Sequence, residues 1–106
     1  GNTLNIYKKT NGRWDKKFSD TLSFGHGLSG GVYHSEPVII AGNRSDSLAL
    51  EIFRIRELSE GKVSRTVLEQ DAGPTQTQVF SCDSQDYILS ANQKKNEVAL
   101  YTGSLD

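Results

Sequence analysis

Short alternations of apolar and polar residues recur along the whole chain, and no stretch carries a convincing helical period. Leu4-Asn5-Ile6-Tyr7 has the period of two that marks a half-buried strand. Asn11-Gly12 follows, a strong two-residue hairpin signal because both residues tolerate positive φ, with Trp14 and Phe18 in or beside the returning strand. Val38-Ile39-Ile40-Ala41 is a continuous apolar run between Pro37 and Gly42, which predicts a strand buried on both faces. Leu48 to Ile55 resumes the alternation, and Glu60-Gly61 turns the chain into Val63–Leu68. Residues 47–58 fit a helical period as well as a strand period, and the neighbouring strands settle them as strand. Gln78–Phe80, Tyr87–Leu89 and Val98–Tyr101 complete an all-β pattern.

The spacing of these runs carries more than any one of them. Leu4-Asn-Ile-Tyr7, Leu50-Glu-Ile-Phe53 and Val98-Ala-Leu-Tyr101 share the order aliphatic, variable, aliphatic, aromatic, at offsets of 46 and 48 residues. Ile39–Arg44 and Ile88–Gln93 align at an offset of 49, and each precedes its aliphatic–aromatic run by a short polar turn. A repeat of roughly 40–50 residues holding about four strands is the sequence mark of a β-propeller blade. With strands counted from inner to outer, Leu4–Tyr7 and Arg13–Phe18 are the third and fourth of one blade. Leu28–Tyr33, Val38–Gly42, Leu48–Ile55 and Val63–Glu69 form a complete one. Gln76–Ser81, Tyr87–Ala91 and Val98–Tyr101 are the first three of the next. The expected organisation is therefore outer strands in residues 1–20, one complete blade in 21–70 and three inner strands in 71–106. Two blades do not close a ring, which needs about 4–8. The expectation is a fragment, or a ring completed by other blades from further copies or a parent chain, with the missing last strand supplied by such a neighbour.

Composition narrows the chemistry. Twelve Lys+Arg against 13 Asp+Glu leave a net charge of −1, which excludes a general electrostatic grip on nucleic acid or an anionic membrane. The apolar runs are far below the ~20 residues of a membrane-spanning helix. No charged-then-apolar leader opens the chain and Gly1 suggests a trimmed start, which leaves the compartment open and tilts it towards the cytoplasm. The single cysteine, Cys82, excludes an internal disulfide, and with no multi-cysteine metal site expected the only other ligand types are His26, His34 and carboxylates. No metal and no cofactor is expected. His26, between two glycines before an inner strand, is the candidate base or channel-facing ligand residue, and His34 belongs to the following turn. Gly25-His26-Gly27 and Gly30-Gly31 lack the helix that phosphate cradling requires, so they read as turn and close-packing residues. Lys8-Lys9 and Lys16-Lys17 are expected to face each other across the hairpin as protective edge charges. Cys82 reads as a small packed residue, and Trp14, Phe53, Phe80, Tyr87 and Tyr101 as inter-blade core.

The run Ile40–Phe53 (IAGNRSDSLALEIF), with Gly73–Phe80, Asp83–Gln93 and Glu97–Tyr101, resembles the closing blades of the seven-bladed lactonase-type propellers. That family includes bacterial 6-phosphogluconolactonases and fungal muconate lactonising enzymes. The resemblance covers residues 38–101. It implies that Arg44, with Asn43 beside it, matches the arginine closing a blade's second strand, and a guanidinium there clamps a small anionic sugar in bidentate fashion. The family's glutamate at the start of the first strand falls near Ser29, and the arginine after its Gly-Pro step is Thr75, so two expected contacts are missing. Calcium-loop propellers of the integrin type share the blade rhythm and the Gly25–Leu28 run, but their Asp-x-Asp-x-Asp-Gly loop has no counterpart here. The leading expectation is a blade-pair module for assembly or binding. A sugar-lactone hydrolase using Arg44 comes next, and a metal- or carbohydrate-binding propeller using His26 third.

Overall fold

Asn11 and Gly12 both take positive φ, 52° and 78°, and close strand β1 (Thr3–Thr10) onto β2 (Arg13–Thr21). The same two-residue geometry recurs at His34-Ser35 (φ 50° and 65°) and at Asp83-Ser84 (φ 51° and 63°). Those turns join β3 (Gly25–Tyr33) to β4 (Glu36–Asn43) and β7 (Pro74–Cys82) to β8 (Gln85–Asn92). With β5 (Leu50–Arg54), β6 (Ser64–Glu69) and β9 (Glu97–Tyr101) the chain is all-β; only single 3₁₀ turns at Leu58–Glu60 and Gln93–Lys95 interrupt the strands. The computed structural model describes residues 2–106. Among them no helix is long and apolar enough to cross a membrane.

The strands form three antiparallel sheets, a first of β1-β2, a central of β3-β4-β5-β6 and a third of β7-β8-β9, each in sequence order. Alternation along β4 and β5 divides their side chains between two interfaces. Val38, Ile40, Leu50 and Ile52 meet Ala72, Val79, Ile88 and Tyr101 on the side of the third sheet. Ala41 and Phe53 meet Leu4, Ile6, Phe18 and Leu22 on the side of the first. The central sheet is thus covered on both faces, as its unbroken Val38–Ala41 run predicts. Phe18 stands edge-on to Phe53, with ring centroids 6.4 Å apart.

Two glycines set how closely the central and third sheets approach. A Cβ at Gly42 would overlap the Pro74 ring and come within 2.8 Å of the His26 carbonyl oxygen. Gly27 has φ +61°, and a Cβ on it would lie 3.0 Å from the Gln76 backbone nitrogen. Between β3 and β7 the small residues also bond directly: the Ser29 hydroxyl lies 2.7 Å from that of Thr77, which donates to the Gly27 carbonyl at 2.9 Å.

Several local expectations need correction. Trp14 is 69% exposed at the hairpin tip, because the first sheet ends in solvent there, and its neighbour is Lys9 rather than a core residue. Cys82 is exposed at the end of β7. Register opposes Lys8 to Asp15, Lys9 to Trp14 and Lys16 to Tyr7, so the lysine pairs do not face one another. The third strand of the central sheet begins at Leu50 rather than Leu48, because Asp46 and Leu48 take positive φ in the preceding turn.

The fold assigns opposite weights to two aromatic residues. Phe53→Ala should cost about 3–5 kcal/mol in urea unfolding, the range for emptying a fully enclosed aromatic site. Trp14→Ala should stay within about 0.5 kcal/mol, as exposed substitutions do.

Candidate functional site

Arg44 leaves the end of β4 with its backbone nitrogen held by the Ser23 and Phe24 carbonyls at 2.9 and 3.1 Å. Its side chain crosses to the third sheet, where Nη1 donates to the Gly73 carbonyl at 2.6 Å. Beside it lies an open cavity of about 400 Å³ lined by Arg44, Leu48, Gly73, Gln93 and Lys94. Two cations here can hold an anion. None of the five lining side chains is a carboxylate, imidazole, hydroxyl or thiol, so the cavity supplies no base or nucleophile.

His26 reaches the same segment from β3, its Nδ1 lying 3.2 Å from the Thr75 carbonyl. The structure therefore brings His26 and Arg44 onto the stretch 73–75, one at each end. His26 also borders a separate cleft of about 150 Å³ with Leu4, Leu22, Leu28 and Ala41, an apolar lining with no second titratable side chain. Asn43 has a different place. Its amide is enclosed, with Nδ2 donating to the Ala49 carbonyl at 3.0 Å and to Glu51 at 2.7 Å, and Oδ1 accepting from the Ser23 N–H at 2.7 Å. Those bonds pin the β4–β5 turn and the entry to β3. His34 donates its backbone N–H to Asp86 at 2.7 Å and lays its ring 4.5 Å from that of Tyr33. Among the described residues no three His, Cys, Asp or Glu side chains gather as metal ligands.

The strongest electrostatics belong to residues that the sequence pattern passes over. Glu51 and Phe53 share the face of β5 opposite Leu50 and Ile52, which puts a carboxylate inside the interface between first and central sheets. Arg65 on β6 grips it with two bonds of 2.8 and 2.6 Å, reaches the Thr21 carbonyl at 2.8 Å and lies over the Phe53 ring. Arg54 holds Glu36 in the same forked way at 2.8 and 2.5 Å and extends to Asp106 at 2.8 Å. A third network runs from Ser90 through Asn92 to Tyr101, and from Tyr101 to Glu69, which Lys95 also contacts at 3.1 Å. The available signal for Glu51 was its place in a strand buried on both faces, where a charge must have a partner.

Comparison with protein-family models, with curated proteins and with solved structures finds no match to this chain. Fold and site define it as an all-β protein of stacked antiparallel sheets whose internal charges are paired.

Burial opposes the Glu51 carboxylate, but hydrogen bonds from Arg65 and Asn43 outweigh it and hold the group below the ordinary glutamate value of 4.5. Hydrogen bonds from Arg54 lower Glu36 likewise. A lowered native pKa adds stability that is complete above the unfolded value and lost as pH falls through the native one. Acid unfolding should therefore set in below about pH 4.5, and Glu51→Gln should flatten that limb. At neutral pH the substitution should cost about 2 kcal/mol, less than for a fully enclosed pair because Arg65 keeps 27% of its side chain exposed. Urea titrations of both proteins across the acid range measure this.

Proposed function

We propose that the chain is a β-propeller blade-pair module, acting in assembly or in ligand or protein binding as part of a larger propeller. One observation carries the reading. On the central sheet Val38, Ile40, Leu50 and Ile52 are enclosed by the third sheet. At offsets of 49 and 48 residues they align with Tyr87, Leu89, Val98 and Leu100, which lie on the outward face of the third sheet. There Val98 is 73% and Leu100 55% exposed. Equivalent positions are thus enclosed where a next sheet is present and open where none is. An aliphatic and aromatic face of this kind marks an interaction surface, and the stacked Phe80 and Tyr87 rings, 5.3 Å apart, extend it. Leu4 and Ile6 support the same frame, since they face the next sheet as Leu50 and Ile52 do.

Light scattering on the purified chain tests the reading. A mass above that of one 11.7 kDa chain is expected. A stable monomer at every concentration would overturn it.

Arg44 and Lys94 beside one cavity favour a second reading, a sugar-lactone hydrolase of the 6-phosphogluconolactonase kind in which Arg44 holds the anionic substrate. The lack of a base in the cavity ranks it below binding. Arg44→Ala should abolish turnover of a phosphorylated sugar lactone, and unchanged turnover would remove this reading.

A further inference from the structure

We infer that β9 is a pairing edge for a second copy of this chain. The two β9 strands run antiparallel about a two-fold axis at Ala99, making one six-stranded sheet. This rests on the assembly reading and names the partner and the strand.

The strand order supplies the opening. In the central sheet β5, the third strand, is paired on both sides, by β4 and β6. In the third sheet β9 holds the same rank and is paired only by β8. The chain beyond it does not cover the free side. It turns back to the central sheet, where Tyr33 donates to the Gly103 carbonyl at 2.5 Å and Arg54 binds Asp106 at 2.8 Å.

The free edge of β9 also lacks the devices that blunt sheet edges. The β1 edge carries Lys8 and Lys9, and β2 carries Arg13, Lys16 and Lys17 with a register shift between the two strands. Register shifts interrupt β3, β6 and β7 against their neighbours. β9 is regular against β8 over all five of its residues and has no proline, glycine, lysine or arginine.

Self-pairing also matches the side chains. A two-fold at Ala99 sets Val98 beside the partner's Leu100 and Glu97 beside the partner's Tyr101, with no like charges opposed. Val98 and Leu100 of both copies then lie on one face, continuous with Leu89, so the exposed aliphatic residues of each copy adjoin those of the other. A net charge of −1 per chain puts little repulsion between two copies. The arrangement is isologous and closes at two.

Sedimentation of the full chain, with hydrogen exchange read at the 97–101 segment, tests this. The expected result is a dimer of twice the chain mass, with β9 amides protected as concentration rises. Val98→Lys changes an exposed side chain, so the fold should be kept by circular dichroism while the dimer weakens about tenfold or more. Trp14→Lys, on the far hairpin, should leave the dimer unchanged. A larger closed assembly, a dimer indifferent to Val98→Lys, or β9 amides that stay open within an assembly would overturn this inference and leave the assembly reading standing. A monomer at every concentration would overturn both.

Discussion

Along β4 and β5 the central sheet has no solvent face, and most of the molecule follows from that. Six positions, Val38, Ile40, Ala41, Leu50, Ile52 and Phe53, are almost wholly withdrawn from water. Each large aliphatic or aromatic one contributes about 1.5–3 kcal/mol only while its covering sheet stays in place. The two covers are small sheets of two and three strands, which have little core of their own. Their stability and that of the central sheet are therefore one quantity, set by two interfaces that share a strand pair. The same constraint governs Glu51. A carboxylate between two sheets persists because Arg65 and Asn43 meet it there, so an ion pair on β5 and β6 and a turn amide at Asn43 belong to the packing of the first sheet.

The interface of central and third sheets is graded across its width. At β3 and β7 the facing residues are Gly27, Ser29 and Gly31 against Thr77 and Val79, and even a methyl group at Gly31 would press on the Val79 side chain at 3.1 Å. Further out, Ile40, Leu50, Ile52 and Leu68 face Ile88 and Tyr101. Small residues at one edge and large ones towards the other make two sheets converge at β3 and β7 and diverge outward. That fanning is what a radial stack of sheets requires, and it supports the blade reading from packing, independently of the sequence spacing.

Period-two alternation and the Val38–Ala41 run made the strands and the doubly covered strand legible in the amino-acid sequence, because burial on a pleated sheet writes itself directly into residue type. Asn11-Gly12 was legible for a similar reason, its residues being those that accept positive φ most easily. His34-Ser35 and Asp83-Ser84 adopt the same turn without that signature; the strands on either side impose it. Trp14 was misplaced because an aromatic residue beside alternating ones looks like core until the length of the covering sheet is known. The candidate site was less legible. Arg44 and His26 do converge on residues 73–75, whereas Asn43, adjacent to Arg44, is turned into the fold. Consecutive residues at a strand end point to opposite sides, and spacing alone does not say which side is open.

The paired charges also bear on what kind of work this chain can do. Asp20, Glu36, Glu51, Glu69, Asp86 and Asp106 are all shifted downward, each by donors that favour the ionised form. General acid–base catalysis near neutrality asks for the opposite, a carboxyl raised by burial or by a like charge. Among the described residues no buried side-chain nitrogen or oxygen is left without a partner, so the interior holds no unspent polar group aimed at a ligand. Unsatisfied physical demand lies instead on surfaces, in the open aliphatic face of the third sheet and the free side of β9. In a molecule whose charges are all occupied in holding sheets together, apolar area and backbone hydrogen bonds are what remain to engage a partner, and both are found on the same sheet.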